Sequence, residues 1–297
     1  PFGSAMAAAH LLSLSEDQAV YALGNAGTQS AGLWEFLDTG AMSKHLHAGR
    51  AAEAGIVAAQ LAAYDFTGPP AILEGDKGFF RALCPNPDAS AVLGEPESPW
   101  QLAVTSIKPW PSCRHTHPAI DAALELRVLI GDRAIQSVQV EAYQAALDVC
   151  NRPVPTSEYE AKFSLHHCVA AALGLPEVDF SAFDDHARQN LADLRSRVSI
   201  AATEPWVSAY PDSWGSLVTV VLADGSELTA QRTFARGDPE LPLTDTEMIT
   251  KARMLLAYAG LEEGDAESLI TQVLTMDEPE SNATAVATVF SYLGLEA

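Results

Sequence analysis

Apolar residues recur at helical spacing through the first 75 positions. Val20, Leu23, Ala26 and Gly27 follow Ser15-Glu16-Asp17-Gln18, in which Ser15 and Gln18 occupy the two key positions of a capping box. Ala51, Ala54, Ile56, Val57, Ala58, Leu61 and Ala62 predict a second strong helix over 50–64. Helices so rich in Ala and Gly are expected to pack closely on several sides. The pattern changes at Phe66-Thr67-Gly68-Pro69-Pro70, and 75–99 is rich in Gly, Pro and Asp. Alternation then predicts strands at 101–107 (Leu102, Val104, Ser106) and 137–143 (Val138, Val140, Ala142). The runs 217–222 and 227–234 flank Ala223-Asp224-Gly225-Ser226, the signature of a hairpin. Helices are predicted between them, over 118–130, 158–173 and 186–198. Gly237-Asp238-Pro239 closes this α+β region, and Thr244-Asp245-Thr246-Glu247 opens another capped helix. The remainder to 297 reads as helical and is expected to return to the first helical layer. The fold class is therefore α plus α+β: a helical domain built from 1–75 and 238–297, with an α+β domain inserted at 76–237.

Composition removes several function classes. Among 297 residues, 39 acids face 17 bases, a net charge of −22. Such a surface repels phosphate backbones and anionic lipid, so neither nucleic acid nor a membrane surface is an expected partner. No apolar run reaches the roughly 18 residues of a membrane span. The Ala-rich first 14 residues lack the basic start of a secretory signal. The chain does not begin with Met, and it is expected to be the C-terminal part of something longer. Cys84, Cys113, Cys150 and Cys168 are widely spaced and read as reduced thiols of a cytoplasmic protein.

An acidic chain must concentrate positive charge locally to bind an anion, and two stretches do so. Residues 39–52 contain no Asp or Glu but hold Lys44, His45, His47 and Arg50. Residues 98–120 contain none either, and hold Lys108, Arg114, His115 and His117. Each stretch is expected to precede a helix, one beginning near Arg50 and the other at Pro118. Helix N-termini favour anions, so both segments are candidate carboxylate sites. Trp110, between Lys108 and Arg114, is a candidate ligand platform. Cys113-x-His115-x-His117 and His166-His167-Cys168 lack the paired spacing of a zinc site, and no metal is expected. Asp184-Asp185 reads as a helix cap rather than a catalytic pair. Phosphate-loop, dinucleotide and Gly-x-Ser-x-Gly patterns do not occur.

Several longer motifs add to this. Gly27-Thr28-Gln29-Ser30-Ala31-Gly32-Leu33 is followed by Gly40-Ala41-Met42-Ser43-Lys44-His45-Leu46-His47-Ala48-Gly49-Arg50. Phe66-Thr67-Gly68-Pro69, Ile72-Leu73-Glu74-Gly75 and Gly78-Phe79 come next. Lys108-Pro109-Trp110-Pro111-Ser112-Cys113-Arg114-His115-Thr116-His117, Ala161-Lys162-Phe163-Ser164, and the Asp224-Gly225 hairpin before Gly237-Asp238-Pro239 complete the series. In these segments the chain resembles the MmgE/PrpD family, which includes 2-methylcitrate dehydratase, cis-aconitate decarboxylase and iminodisuccinate epimerase.

The resemblance implies a helical domain with an inserted lid domain, a site in the cleft between them, a homodimer, and no metal or organic cofactor. It also implies a small polycarboxylate substrate and a carbanion-like step beside a carboxylate. On that basis Lys44 and Lys108 bind carboxylate and stabilise the carbanion, and His47 is the first choice for general acid/base. Arg114, His115 and His117 line the other wall, with His117 in the more family-like place. Arg50 either binds substrate or holds its loop. Lys44/His47 and Lys108/His117 are expected to converge on one pocket. Two departures stand out. Family members carry a long stretch ahead of this point, with an Asp-rich segment and a substrate-facing histidine. Cys113 and Val149 also stand where decarboxylase-like members have histidine and tyrosine. The expected activity is that of a dehydratase-type lyase on a di- or tricarboxylate hydroxy acid. The alternatives are an epimerase, a decarboxylase, or a non-catalytic polycarboxylate-binding scaffold.

Overall fold

The computed structural model describes residues 1–39, 41–92, 98–276, 287 and 291. The chain divides into two units, 1–99 and 100–297. Small residues set the packing of the first. Its helices are α1 (Phe2–Leu11), α2 (Glu16–Thr28), α3 (Phe36–Thr39), α4 (Ser43–Ala63) and α5 (Phe79–Leu83). The predicted box caps α2: Ser15 Oγ accepts from Gln18 N at 3.3 Å, and Gln18 Oε1 accepts from Ser15 N at 3.1 Å. Ala5, Ala22, Ala26, Ala58, Ala59 and Ala62 are fully buried where α1, α2 and α4 meet. Gly55 is required there, because a Cβ would lie 2.0 Å from Ser4 Oγ and 2.3 Å from the Pro1 carbonyl. One expectation is corrected. Helix α4 starts at Ser43 rather than near Arg50. Lys44, His45, His47 and Arg50 are thus inside it, and exposed Gly49 does not break it.

The second unit contains α6 (His117–Ile130), β1 (Ile135–Ala142), α7 (Gln144–Cys150), α8 (Glu158–Ala161), α9 (Leu165–Gly174), α10 (Asp185–Asn190) and α11 (Ala192–Ser196). Then come β2 (Val198–Ala202), α12 (Trp206–Ala209), β3 (Ser216–Leu222), β4 (Glu227–Arg232), α13 (Asp245–Tyr258) and α14 (Glu263–Leu274). The sheet order is β2-β1-β3-β4, with β1 and β2 parallel and the other pairs antiparallel. Val138, Val140, Val218, Val220 and Leu222 bury one face against Ile120, Ala123 and Leu126 of α6 and the alanines of α9. The hairpin turns at Asp224-Gly225, where Gly225 has φ +82° and Asp224 Oδ1 accepts from Ser226 N at 2.9 Å.

Three further expectations change. Residues 101–107 are not a strand: Gln101–Val104 form a 3-10 turn, and Leu102 is 85% exposed. Alternation without a partner edge does not make a sheet. The helix expected over 158–173 breaks at Ser164, whose hydroxyl caps α9 by accepting from His167 N at 3.0 Å. The helix expected over 186–198 is α10 and α11, and the chain then enters β2, a strand visible only through its pairing of Val198 with Val138. Asp184 does cap α10, accepting from Ala187 N at 2.7 Å. Thr244 and Glu247 form the second box and start α13. Apart from residues 287 and 291, the tail beyond 276 lies outside the described residues. Among the described residues no helix is long and apolar enough to cross a membrane.

Candidate functional site

The segment from Ile107 to His117 is fastened at several points. Ile107 N donates to the Gly237 carbonyl at 2.7 Å. Gly237 has φ +89°, and a Cβ there would stand 1.9 Å from the Ile107 carbonyl oxygen. Asp238, 2% exposed, pairs with Arg114 Nη2 at 2.5 Å and accepts from Arg114 Nε at 3.1 Å. Its other oxygen accepts from Ala235 N at 3.0 Å. Asp121 ties both sides together, accepting from Trp110 Nε1 and from Arg236 N, each at 2.8 Å. Burial pushes the Asp121 carboxyl up, and those two bonds oppose the shift. Cys113 N donates to the Lys162 carbonyl at 2.8 Å, and Ser112 and Thr116 share a hydroxyl bond of 2.9 Å. The motifs around Lys108 and around Gly237-Asp238 are therefore two halves of one structure.

On this frame the four basic side chains are unequal. Lys108 is exposed, and its Nζ donates to the Ser112 carbonyl at 3.2 Å. Arg114 lies 4.1 Å over the Trp214 ring and is held by Asp238. His115 stacks on Trp214 at 4.6 Å, and its Nδ1 is 2.7 Å from Tyr143 Oη. His117 is buried at the start of α6, with Nε2 3.4 Å from the Ser112 carbonyl. Burial first, then Arg114 and Lys108, lower His115 to about 4. Burial first, then the cations Lys108, Arg114 and Lys251, lower His117 to about 3. Both imidazoles are neutral at pH 7, so the positive charge of this segment belongs to Lys108 and Arg114.

The first basic segment is different. Lys44, His45 and Arg50 are exposed on α4, and His47 is half-buried. The His47 ring meets Phe36 edge-on at 5.6 Å. Arg50 pairs with Glu53 at 2.6 Å, with both side chains more than half exposed.

Tyr143, Trp214 and Asp238 hold Arg114 and His115 of the fastened segment. Asp238 lies in the Gly237-Asp238-Pro239 motif, but no spacing in the sequence signals Tyr143 or Trp214, which reach the segment from far along the chain. Lys251 is a fourth addition. It is half-buried, and burial lowers its pKa. With Pro109, Trp110, Arg127, Arg236 and Met254 it lines a cavity of about 470 Å³ beside the fastened segment. Trp110 thus presents its ring to a cavity wall while its N–H is fixed by Asp121. A second, apolar groove of about 650 Å³ runs between α13 and α14, with Met248, Leu255, Ile270 and Val273 on its walls. His166 and His167 bond to the Val198 and Ala182 carbonyls, each at 2.8 Å, and serve the core. Among the described residues no three His, Cys, Asp or Glu side chains group as a metal site would need.

A family model described as the MmgE/PrpD N-terminal domain matches residues 1–91, and one described as the MmgE/PrpD C-terminal domain matches residues 110–276. The chain is 27% identical over 287 residues to a cis-aconitate decarboxylase of Homo sapiens, covering 94% of this chain and 59% of that protein. It is 27% identical over 295 residues to a cis-aconitate decarboxylase of Mus musculus, covering 94% and 58%. The chain therefore spans about six-tenths of the length of these curated relatives.

Proposed function

The chain belongs to the MmgE/PrpD family, and on that premise we propose that it is a cofactor-independent lyase acting on a small di- or tricarboxylate. The observation that supports this best is the fastened segment of the second unit. It holds Lys108 and Arg114 as fixed cations beside two neutral imidazoles, in a chain of net charge −22.

In this reading His47 removes a proton from the carbon next to a carboxylate. The electron pair left behind spreads onto the carboxylate oxygens, where Lys44 and Lys108 stabilise it. A single preorganised donor aimed at developing charge contributes about 3–4 kcal/mol once water is excluded. The β-hydroxyl then leaves as water, its proton coming from the enzyme, and a carbon–carbon double bond forms. His115 and His117 orient substrate carboxylates through neutral N–H groups, and Arg50 and Arg114 support their segments. The proposed working form is a cytoplasmic homodimer in which Lys44, His47, Lys108 and His117 act on one substrate.

Decarboxylation is the second reading, favoured by the activity named for the human and mouse relatives. It passes through a carbanion of the same kind, left when carbon dioxide departs, which then takes up a proton from the enzyme. Cys113 and Val149, where the family resemblance implies histidine and tyrosine in decarboxylase-like members, favour dehydration. The test is a panel of hydroxy-polycarboxylates and cis-aconitate, followed by ultraviolet absorbance for unsaturated product and by carbon dioxide release. Dehydration gives new absorbance without gas, and Lys44→Ala abolishes it. Gas release assigns the decarboxylase. A raised melting temperature with no product assigns a binding protein.

A further inference from the structure

Tyr143 stands at the N-cap of α7 and is 1% exposed. Its ring stacks on Tyr210 at 4.6 Å and meets Trp214 edge-on at 5.9 Å. Burial pushes its phenol far above the ordinary range, so it keeps its hydrogen. Among the described residues the partner of that hydroxyl is His115 Nδ1, at 2.7 Å. A buried O–H must donate, and a ring nitrogen is the acceptor on offer. Nδ1 therefore carries the lone pair, and a neutral ring has its hydrogen on Nε2. The parallel stack on Trp214, with ring planes 9° apart, fixes the plane of the ring. His115 Nε2 makes no hydrogen bond among the described residues, and it is not one of the sealed, unpartnered polar atoms.

We propose that Tyr143 and Trp214 are positioning residues that hold His115 as the Nε2-protonated neutral imidazole, so that it offers substrate an N–H donor rather than a charge. The choice of substrate rests on the lyase reading; the tautomer rests on the geometry alone. The charges that act on the ring are those of Arg114 and Lys108, and both disfavour a third cation. A neutral donor aimed at one oxygen gains strength as charge grows there, which favours the transition state.

The experiment is a ¹H–¹⁵N correlation spectrum of the full chain with ¹⁵N-labelled histidines, recorded from about pH 5.5 to about pH 8. His115→Gln identifies the resonances. The expected result is a protonated Nε2, an acceptor-type Nδ1 and no titration in that range, consistent with a midpoint of about 4. Tyr143→Phe keeps the stacked ring and removes the donor. It should give a mixture of tautomers and a higher midpoint. In turnover assays it should lower kcat by about 10–100-fold with KM nearly unchanged. A protonated Nδ1, or a His115 midpoint inside the scanned range, overturns the proposal. The wild-type spectrum decides this even if Tyr143→Phe does not fold. The expected tautomer in a protein that converts no polycarboxylate leaves this assignment standing and removes the lyase reading. Turnover with the wrong tautomer does the reverse.

Discussion

Residues 39–52 and 98–120 each lack Asp and Glu, and each hold one lysine, one arginine and two histidines. Their physical circumstances differ sharply. The first segment rides on the exposed start of α4, and its arginine pairs with Glu53 one turn along. The second is fastened to residues 235–238 and to Asp121, and its arginine pairs with a carboxylate 124 positions away. Like composition thus yields an exposed helix face in one place and a preorganised array in the other. Burial also changes what the histidines are, since His115 and His117 hold no charge at neutral pH. The fastened segment supplies hydrogen-bond direction as much as potential.

The largest effect is expected from Lys44→Ala and Lys108→Ala, each lowering kcat/KM by about 10²–10³-fold if both lysines meet developing charge. Lys44→Ala should leave the urea midpoint almost unmoved, since exposed substitutions usually shift stability by no more than about 0.5 kcal/mol. Next is Asp238→Ala, which strands Arg114 and the Ala235 amide. It should destabilise the second unit by about 1.5–3 kcal/mol in urea unfolding.

The pH dependence comes third. His115 and His117 are lowered in the folded chain to about 4 and about 3, against about 6.5 unfolded. As pH falls below the unfolded value, the unfolded chain takes up protons that these two side chains refuse. Their stabilisation is therefore complete above the unfolded value and is lost toward acid. The raised Asp121 opposes this in part. The urea midpoint should fall between pH 7 and pH 5, and His117→Asn should make that slope shallower. The smallest effect is Glu53→Ala. It frees Arg50 from an exposed pair and should move stability by about 0.5 kcal/mol or less.

Local patterns in the sequence identified what local physics controls. Both capping boxes, the Asp224-Gly225 hairpin, the Asp184 cap and the close Ala and Gly packing of the first unit all follow from neighbours in the chain. Strand β2 could not be read this way, because Val198-Ser199-Ile200 becomes a strand only beside Val138 and Val140. The reverse holds at 101–107, where the alternation has no edge to join. The basic residues of the site were legible from the gap in acidic residues. Their partners were not, since Asp238, Tyr143 and Trp214 are joined to Arg114 and His115 by the tertiary fold. The helix start at Ser43 was masked by Gly49, which is tolerated where nothing packs against it.

In the proposed function the two basic segments serve one carboxylate ligand. Calorimetric titration of citrate into the wild type, Lys44→Ala and Lys108→Ala tests it most directly. The expected result is one site per chain, with affinity sharply reduced by either substitution. Unchanged affinity in one of the two variants, or two independent sites, would contradict it.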